Sequence, residues 1–364
     1  MMMQGIQALA KATRPAQAAA TKTTTTRLAW RAFSTSGPAE YTQEHRKTLE
    51  GVKGRHLMRI DDYCKEELEA ILAFSRHLKD LVKAEKVPQA LHGKSVACIF
   101  QKRSTRTRVS TETGMNLLGG SPLFLSSQDV QLGVNETIKD SALVLSRFNS
   151  LILARVFGHD TVHELAEHAT VPVINALSDM HHPLQTLADF MTIQERFGPE
   201  NVKGKTLAWV GDGNNVLHDL MLAAPPMGVN LRICTPEGYR PDAGIMKDTE
   251  ALAQKFGTDI WVGADPIEGV AGCNIVVTDT WVSMGQEEEA AKRIKAFEGY
   301  EVNSELMSKG GAADDWIFMH CLPRHPEEVS DEVFYSDRSV VFDEAEARMY
   351  TVMAVMATQL GVTL

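Results

Sequence analysis

The segment Ser104-Thr-Arg-Thr-Arg108 places hydroxyl and guanidinium groups directly after the apolar stretch Ser95–Phe100. We predict a helix from Thr107 to Leu118, so the segment is a strand-to-helix turn. Such a turn binds anions through its backbone N–H groups, and Arg106 adds a two-pronged donor suited to phosphate. A capped surface helix with solvated arginines is the alternative. Arg155, at the end of another apolar stretch, favours the anion site, because a buried arginine without an anion is costly.

His181 and His182 stand side by side, and Gln185 follows three residues later. Their imidazole and amide donors suit the polarisation of a carbonyl oxygen. Two adjacent histidines can also cap a helix or bind a metal. No third ligand stands at a fixed spacing from them, so we predict no metal site.

The segment Gly211-Asp-Gly-Asn-Asn215 only partly matches a dinucleotide-binding loop. The third glycine of that motif is missing, and no acidic residue closes the next apolar stretch, Asn230–Cys234. A nicotinamide-dependent oxidoreductase is therefore the weaker hypothesis. The amides of Asn214 and Asn215 suit an amino-acid backbone, although they are also typical of a tight turn.

Asp279 and Cys321 each follow a short apolar stretch, and we expect them to face each other at the ends of neighbouring strands. A carboxylate there attracts an amine, and a nearby thiol is an acceptor or an acid of adjustable pKa. The alternative is that Cys321 is an inert, buried small side chain.

These segments all follow predicted strands, and in open α/β sheets ligands bind beyond the carboxyl ends of the strands. We expect an α/β fold of two doubly wound parallel sheets, with the site in the cleft between them. We predict amphipathic helices at Pro183–Phe197, which passes from one sheet to the other, and at Glu344–Leu360. The predicted strands are Ser95–Phe100, Pro122–Ser126, Leu151–Val156, Val171–Ala176, Thr206–Val210, Asn230–Cys234, Ile260–Val262, Ile275–Thr278, Trp316–His320 and Val340–Phe342.

The 364-residue chain has a formal net charge of −10, yet no acidic residue precedes Glu40. Five basic residues and a threonine-rich run in that stretch are typical of a mitochondrial presequence, so we predict a transit peptide at residues 1–33 and a matrix location. A basic extension that stays attached is the alternative. The acidic remainder argues against a nucleic-acid partner or a membrane surface, and there is no apolar run of transmembrane length. Five widely spaced cysteines indicate neither a disulfide framework nor a zinc site.

Five motifs together resemble the ornithine carbamoyltransferase family: S-T-R-T-R (104–108), H-P-L-Q (182–185), D-G-N-N (212–215), D-T-W-V-S-M-G (279–285) and H-C-L-P-R (320–324). The first two are shared by transcarbamylases in general, whereas S-M-G and H-C-L-P indicate ornithine as the acceptor. The resemblance implies a carbamoyl phosphate-binding domain at 40–182 plus 345–364 and an ornithine-binding domain at 183–344. It also implies two helices between the domains and a homotrimer with active sites at subunit boundaries.

The resemblance implies roles for individual residues. Arg106, His182, Asp279 and Cys321 would be catalytic. Ornithine would be held by Asn215, Asp279, Ser283 and Met284. Carbamoyl phosphate would contact Ser104, Thr105, Arg106, Thr107, Arg155, His182, Gln185, Cys321, Leu322, Arg348 and, from a neighbouring subunit, Gln131.

The implied reaction converts carbamoyl phosphate and L-ornithine into L-citrulline and phosphate, a step of arginine biosynthesis or of a urea cycle. The substrates are small molecules, and carbamoyl phosphate arrives activated, so no metal or organic cofactor is expected. We expect Asp279 and Cys321 to position the amine and assist its deprotonation, and the segment 282–285 to close over ornithine. A transcarbamylase acting on another amine, such as putrescine or acetylornithine, is the closest alternative.

Overall fold

The computed structural model describes residues 40–127, 132–133, 135–283 and 287–364. The predicted transit peptide, Gln131 and Met284 lie outside the described residues. The strands within them are β1 (Ser95–Phe100), β2 (Ser121–Ser126), β3 (Leu151–Arg155), β4 (Val173–Leu177), β5 (Thr206–Val210), β6 (Asn230–Cys234), β7 (Ile260–Gly263), β8 (Ile275–Thr278) and β9 (Ile317–His320).

Helices alternate with these strands. Within the described residues they are α1 (Gln43–Glu50), α2 (Lys65–Lys83), α3 (Thr105–Leu117), α4 (Ile138–Phe148), α5 (His159–His168), α6 (Pro183–Phe197), α7 (Asn215–Ala223), α8 (Ala243–Phe256), α9 (Pro266–Gly269), α10 (Ala290–Ala296), α11 (Ser304–Lys309), α12 (Asp331–Phe334) and α13 (Val341–Gln359). In the same part of the chain, no helix is long and apolar enough to cross a membrane.

The strands form two parallel sheets, as the alternation of short apolar and longer amphipathic stretches predicts. The first has the order β2-β1-β3-β4 and the second the order β7-β6-β5-β8-β9. In the first sheet, β1 and β3 are apolar except for Ser95 and Arg155 at their ends, and both strands are buried almost throughout. Parallel strands have this composition because helices cover both faces of the sheet. The predicted α/β fold class is confirmed.

The strand order reverses direction at one point in each sheet, between β1 and β3 and between β5 and β8. A crevice opens at such a point, because the connections on its two sides go to opposite faces. Arg106 follows β1, Arg155 is the last residue of β3, and Asn214 and Asp279 follow β5 and β8. The topology therefore brings the polar segments to two facing crevices.

The sequence pattern locates the strands and the linking helices closely, with one error. The prediction of a strand at Val340–Phe342 is wrong, because α13 begins at Val341. Strand-like pairing does occur nearby, since the backbone of Ser339 bridges to Phe318 of β9. The helix is more stable here than a strand for two reasons. Asp343 and Glu344 suit the positive end of the helix dipole, and the side chains of the helix are buried along nearly its whole length.

Two long helices pack against each other beside the crevices. Helix α6 begins with Pro183 at its first turn and ends at Gly198, whose φ of +86° favours glycine. Helix α13 packs on α6 and also on α2 and α3. Side chains from both helices therefore reach the same cleft.

Candidate active site

A cavity of about 630 Å³ lies between the carboxyl ends of the two sheets. Nearly all described residues of the predicted site line it. They are Ser104, Thr105, Arg106, Thr107, Arg155, His182, Gln185, Asn215, Asp279, Ser283, Cys321, Leu322 and Arg348. The cavity thus joins the two groups of polar segments in one site.

Arg106, Arg155 and Arg348 all line this cavity and lie close enough together to repel one another. Arg106 donates to the Leu322 carbonyl (2.5 Å), and Arg348 donates to Thr107 Oγ1 at 3.0 Å. Nε of Arg155 is buried without a hydrogen-bond partner among the described residues, and in that part of the chain none of the three forms an ion pair with a carboxylate. Burial, with a contribution from the positive charge of the nearby Arg106, lowers the pKa values of Arg155 and Arg348 to about 10. Such a cluster of buried positive charge is built for an anion.

The turn that begins α3 lies beside these arginines. Ser104 caps the helix, its Oγ accepting from the N–H of Thr107 at 3.2 Å. The helix begins two residues earlier than predicted, so Thr105 and Arg106 already belong to its first turn. A helix start is where backbone N–H groups lack partners within the helix, and all four residues line the cavity.

His182 is almost fully buried at the cap of α6 and lines the same side of the cavity. Burial lowers its pKa well below the ordinary value, and the positive charges of Arg348 and Arg155 lower it further. The imidazole is therefore neutral at physiological pH. Its Nδ1 is buried and has no hydrogen-bond partner among the described residues.

Gln185 connects His182's helix to α13. Its Oε1 accepts from Arg348 at 2.5 Å, and its Nε2 donates to Asp189 and Glu344, each at 2.8 Å. Both carboxyl groups are buried, and burial raises both pKa values, that of Asp189 to about 7. Each carboxyl group therefore keeps its proton to a higher pH than an exposed carboxyl group does.

Asp189 and Glu344 are not among the site residues predicted from the sequence. The signal was present, because Asp189 lies four residues after Gln185 and Glu344 four residues before Arg348. Residues four apart share a helix face, so each carboxyl accompanies a predicted site residue.

Asp279 and Cys321 face each other, as expected from their places after β8 and β9. Thr278 pairs with His320 in the sheet, so the next residues of both strands meet at the cavity. Sγ of Cys321 donates to Asp279 Oδ1 at 2.9 Å, and Asn214 donates to the other carboxylate oxygen at 2.8 Å. Burial, and then the negative charge of Asp279, raise the pKa of Cys321 well above its usual value. Cys321 is therefore a neutral thiol that donates to Asp279.

His320 precedes Cys321 and is held at both ring nitrogens. Its Nδ1 accepts from the N–H of Leu322 at 2.9 Å, so its Nε2 carries the proton and donates to Glu328 at 2.9 Å. Asp279, His320 and Cys321 bring potential metal-ligand atoms within 4.8 Å of one another. A metal would have to displace one of the two hydrogen bonds of His320, and the thiol that would have to ionise has a raised pKa.

The loop after β5 is shaped by packing. A Cβ on Gly213 would lie 2.3 Å from the backbone of Arg240 and Pro241, so the close approach of two loops requires glycine. Asn214 caps α7, accepting from the N–H groups of Val216 and Leu217. Asn214 therefore shapes the turn, as one of the two interpretations of these amides predicts, and it also donates to Asp279.

Asn215 lines the cavity, and its Nδ2 donates to the carbonyl of Ser178 at 2.5 Å. Arg293, which sequence reasoning missed, joins the loop after β8 to the loop after β5. It donates to the carbonyl of Trp281 at 2.6 Å and to the carboxylate of Asp212. Its spacing in the sequence gives no signal, because its partners come from distant segments.

Two family models match most of the chain. One is described as the carbamoyl-P binding domain of aspartate/ornithine carbamoyltransferase and matches residues 55–195. The other is described as the Asp/Orn binding domain of the same family and matches residues 203–359.

Individual relatives agree with these matches. The chain is 51% identical to the mitochondrial ornithine transcarbamylase of Gallus gallus over 311 residues, covering 85% of this chain and 86% of that protein. It is 49% identical to the mitochondrial ornithine carbamoyltransferase of Aquarana catesbeiana, covering 86% and 89% of the two chains. Among solved structures, the ornithine carbamoyltransferase of Pyrococcus furiosus superposes with a TM-score of 0.82 at 46% identity, covering 86% of this chain and 99% of that one.

Proposed function

The chain belongs to the aspartate/ornithine carbamoyltransferase family, and from this premise we propose that it transfers the carbamoyl group of carbamoyl phosphate to the δ-amine of L-ornithine. The products are L-citrulline and phosphate. The observation that carries the proposal is the cavity itself, which sets three arginines without carboxylate ion pairs among the described residues opposite a carboxylate–thiol pair. An anionic donor and a cationic amine acceptor are the ligands such a cavity suits.

Carbamoyl phosphate binds, in this proposal, at the start of α3. Its phosphate accepts hydrogen bonds from Ser104, Thr105, Arg106 and Thr107, and from Arg155 and Arg348. Its amide is held by Gln185 and by the carbonyl of Leu322, which Arg106 already contacts. Since the leaving phosphate stays bound to the same positive groups, its departure is favoured.

The carbonyl oxygen gains negative charge as the amine attacks. Arg106, Thr107 and His182 are the proposed donors to this oxygen, each worth about 2–4 kcal/mol in the transition state. His182 acts as a neutral donor, because its pKa lies well below the usual value. A neutral imidazole avoids placing a fourth positive charge beside the three arginines.

Ornithine binds on the opposite side, where Asp279 attracts the δ-amine and Asn215, Ser283 and Met284 hold the rest of the molecule. Only about one amine in a thousand is neutral near pH 7.4, which costs about 4 kcal/mol. We assign the proton acceptor role to Asp279, because Cys321 is already protonated in the free protein. Cys321 acts as a donor that fixes the orientation of Asp279.

We assign residues 40–182 plus 345–364 to a carbamoyl phosphate-binding domain and 183–344 to an ornithine-binding domain. The return of α13 to α2 and α3 supports this division. It also explains how Arg348, near the carboxyl end of the chain, reaches the phosphate side of the cavity.

The active unit is proposed to be a homotrimer in which Gln131 of one subunit completes the site of the next. Large apolar side chains on α4 and β2 support an interface there, since Phe148 is 75% exposed and Leu123 is 47% exposed. Mixing Gln131→Ala with Arg106→Leu subunits tests the shared site. Hybrid trimers should regain activity that neither parent has, because one site per hybrid can combine two intact contributions.

A mitochondrial matrix location is proposed, with residues 1–33 removed on import. The relatives named above from two vertebrates are mitochondrial by name, and the amino-terminal stretch is basic. Import of the full chain into isolated mitochondria, followed by sequencing of the new amino terminus, tests this. The pathway served is arginine biosynthesis or a urea cycle.

Citrulline formation by the purified chain tests the activity. Ornithine should be the best acceptor among ornithine, putrescine and acetylornithine, and faster turnover of either rival would overturn the assignment. A fluorescence titration with NAD addresses the oxidoreductase hypothesis, and no binding is expected. A bisubstrate mimic, phosphonoacetyl-ornithine, should bind tightly.

A further inference from the structure

Asp219 is fully buried on α7, outside the cavity, and joins three segments of the chain. Its Oδ1 accepts from the backbone N–H of Ile60 at 2.9 Å and from Nδ1 of His181 at 3.2 Å. Its Oδ2 accepts from the backbone N–H of His182. The mechanism above uses none of these contacts, although one of them is made to the residue that polarises the carbonyl.

The hydrogen bond between Asp219 and His182 is one of several that join α7 to the turn that precedes α6. Asn215 donates to the carbonyl of Ser178 at 2.5 Å, and His218 Nδ1 donates to the carbonyl of Met180 at 2.9 Å. The proton of His218 is on Nδ1, because its Nε2 accepts from a backbone N–H. Positions 215, 218 and 219 share one face of the helix. One face of α7, a helix that packs on the second sheet, thus holds the backbone of residues 178–182 in place.

The imidazole of His182 depends on this backbone for its position. No hydrogen bond among the described residues holds its Nδ1, which is buried. Its place in the cavity therefore follows from packing and from the backbone at position 182, where Asp219 binds the N–H. A shift of that backbone would move the imidazole relative to the carbonyl oxygen.

We propose that Asp219 is a positioning residue for carbamoyl transfer, which holds the backbone of His182 so that its imidazole meets the carbonyl oxygen of carbamoyl phosphate. His181 supports it by donating to the same carboxylate. This inference rests on the proposed function and names a residue to which the resemblance gives no role.

The two oxygens of Asp219 explain why a carboxylate is needed. One takes the N–H of Ile60 and the other takes the N–H of His182, and a backbone N–H can only donate. An asparagine amide offers one oxygen, so whichever way it turns, its NH₂ group faces one of these N–H groups. Asp219→Asn therefore leaves the shape unchanged, and because an oxygen at the Oδ1 position keeps two donors, Ile60 and His181, the bond that is lost is the one to His182.

The test is a double-mutant cycle of Asp219→Asn with His182→Ala in the full chain. Asp219→Asn should lower kcat about 10- to 100-fold and weaken phosphonoacetamide binding in calorimetry, with little change in KM for ornithine. In the His182→Ala background it should have no further effect on kcat, because the group that it positions is gone. Equal losses in both backgrounds would overturn the proposal, as would an Asp219→Asn enzyme with unchanged kcat.

Asp248→Asn is the matched control. Asp248 also joins the second sheet to the segment around Ile60, through an ion pair with Arg59 at 3.0 Å, but it has no contact with His182. This variant should keep the wild-type kcat. A loss equal to that of Asp219→Asn would mean that the junction, and not His182, is what Asp219 serves.

Substitutions of His181 keep the test decisive if Asp219→Asn fails to fold. His181→Asn keeps a donor near the Nδ1 position and should retain near-wild-type kcat, whereas His181→Leu should lower it severalfold. Equal activity of the two would refute the role of His181.

The measurement of phosphonoacetamide binding separates this inference from the proposed function. If the wild type binds the compound without forming citrulline, the function fails while the cycle in binding affinity still decides the role of Asp219. No binding by the wild type would overturn both.

Discussion

Arg155 should destabilise the protein when no anion is bound, although the protein needs this residue to bind phosphate and to be active. The side chain is 6% exposed, its Nε is unpartnered among the described residues, and burial together with Arg348 and Arg106 lowers its pKa from the ordinary value to about 10. This fall corresponds to about 3 kcal/mol of unfavourable free energy for the charged side chain in the folded protein. Arg155→Met replaces it with an apolar chain of similar length.

We expect Arg155→Met to raise the free energy of unfolding in the absence of anions by up to about 3 kcal/mol, or roughly 4 °C in Tm for a chain of this size. The folded pKa is lower than the unfolded one, so the charged form is disfavoured in the fold at every pH below about 10. The gain should therefore be constant between pH 6 and 9. Urea unfolding at several pH values measures it.

Phosphate should stabilise the wild type but not Arg155→Met. A ligand that binds only the folded state at a hundred times its Kd adds about 2.7 kcal/mol to the wild type. Arg155→Met should gain almost nothing from the same phosphate series and should not form citrulline. Lys309→Met is the control, since Lys309 is an exposed cation that pairs only with Glu305 on its own helix among the described residues. It should change neither stability nor the response to phosphate.

Two results would refute this reasoning. If Arg155→Met is less stable than the wild type without anions, then the arginine has a stabilising partner in the free protein. If its stability still rises with phosphate as the wild type's does, then the phosphate binds elsewhere.

Three further predictions concern other parts of the site and surface. Cys321→Ala should lower kcat about 10- to 100-fold, because Asp279 loses a donor to its charge, whereas Cys321→Ser should retain more activity; equal losses in citrulline assays would contradict this. Burial raises the pKa of Asp189 to about 7, so the folded protein keeps a proton that the unfolded chain loses near pH 4. Wild-type stability, measured by urea unfolding, should therefore fall relative to Asp189→Asn as the pH rises from about 4 to 7, and parallel curves would refute the raised pKa. Phe148→Asp should shift the protein from trimer to smaller species in light scattering, and an unchanged mass would exclude that face as the interface.

The strands and the long helices could be read from the sequence because their signals are local. Thr206–Val210 and Ile275–Thr278 are short apolar runs between turn residues, and Pro183–Phe197 begins with proline and ends before glycine. Each of these features acts within a few residues, so the printed sequence contains it. The failure at Val340–Phe342 is informative for the same reason. A β-branched run predicts a strand, but burial of the helix that starts at Val341 outweighs that local preference.

The chemistry of the site was only partly accessible to the same reasoning. The types and order of Arg106, His182, Asp279 and Cys321 indicate an anion, a carbonyl and an amine, and their motifs indicate the family. This much could be inferred without the structure, because residue types fix which groups can donate, accept or carry charge.

The protonation states of those groups depend on how the chain folds. Cys321 is a protonated donor because burial and the carboxylate of Asp279, 2.9 Å away, raise its pKa. The pKa of Asp189 is raised because this carboxyl group is buried. Asp219 binds the backbone of His182 because α7 of the second sheet packs against the turn before α6. Charge state and position depend on distance and burial, and these are set by contacts between segments far apart in the chain.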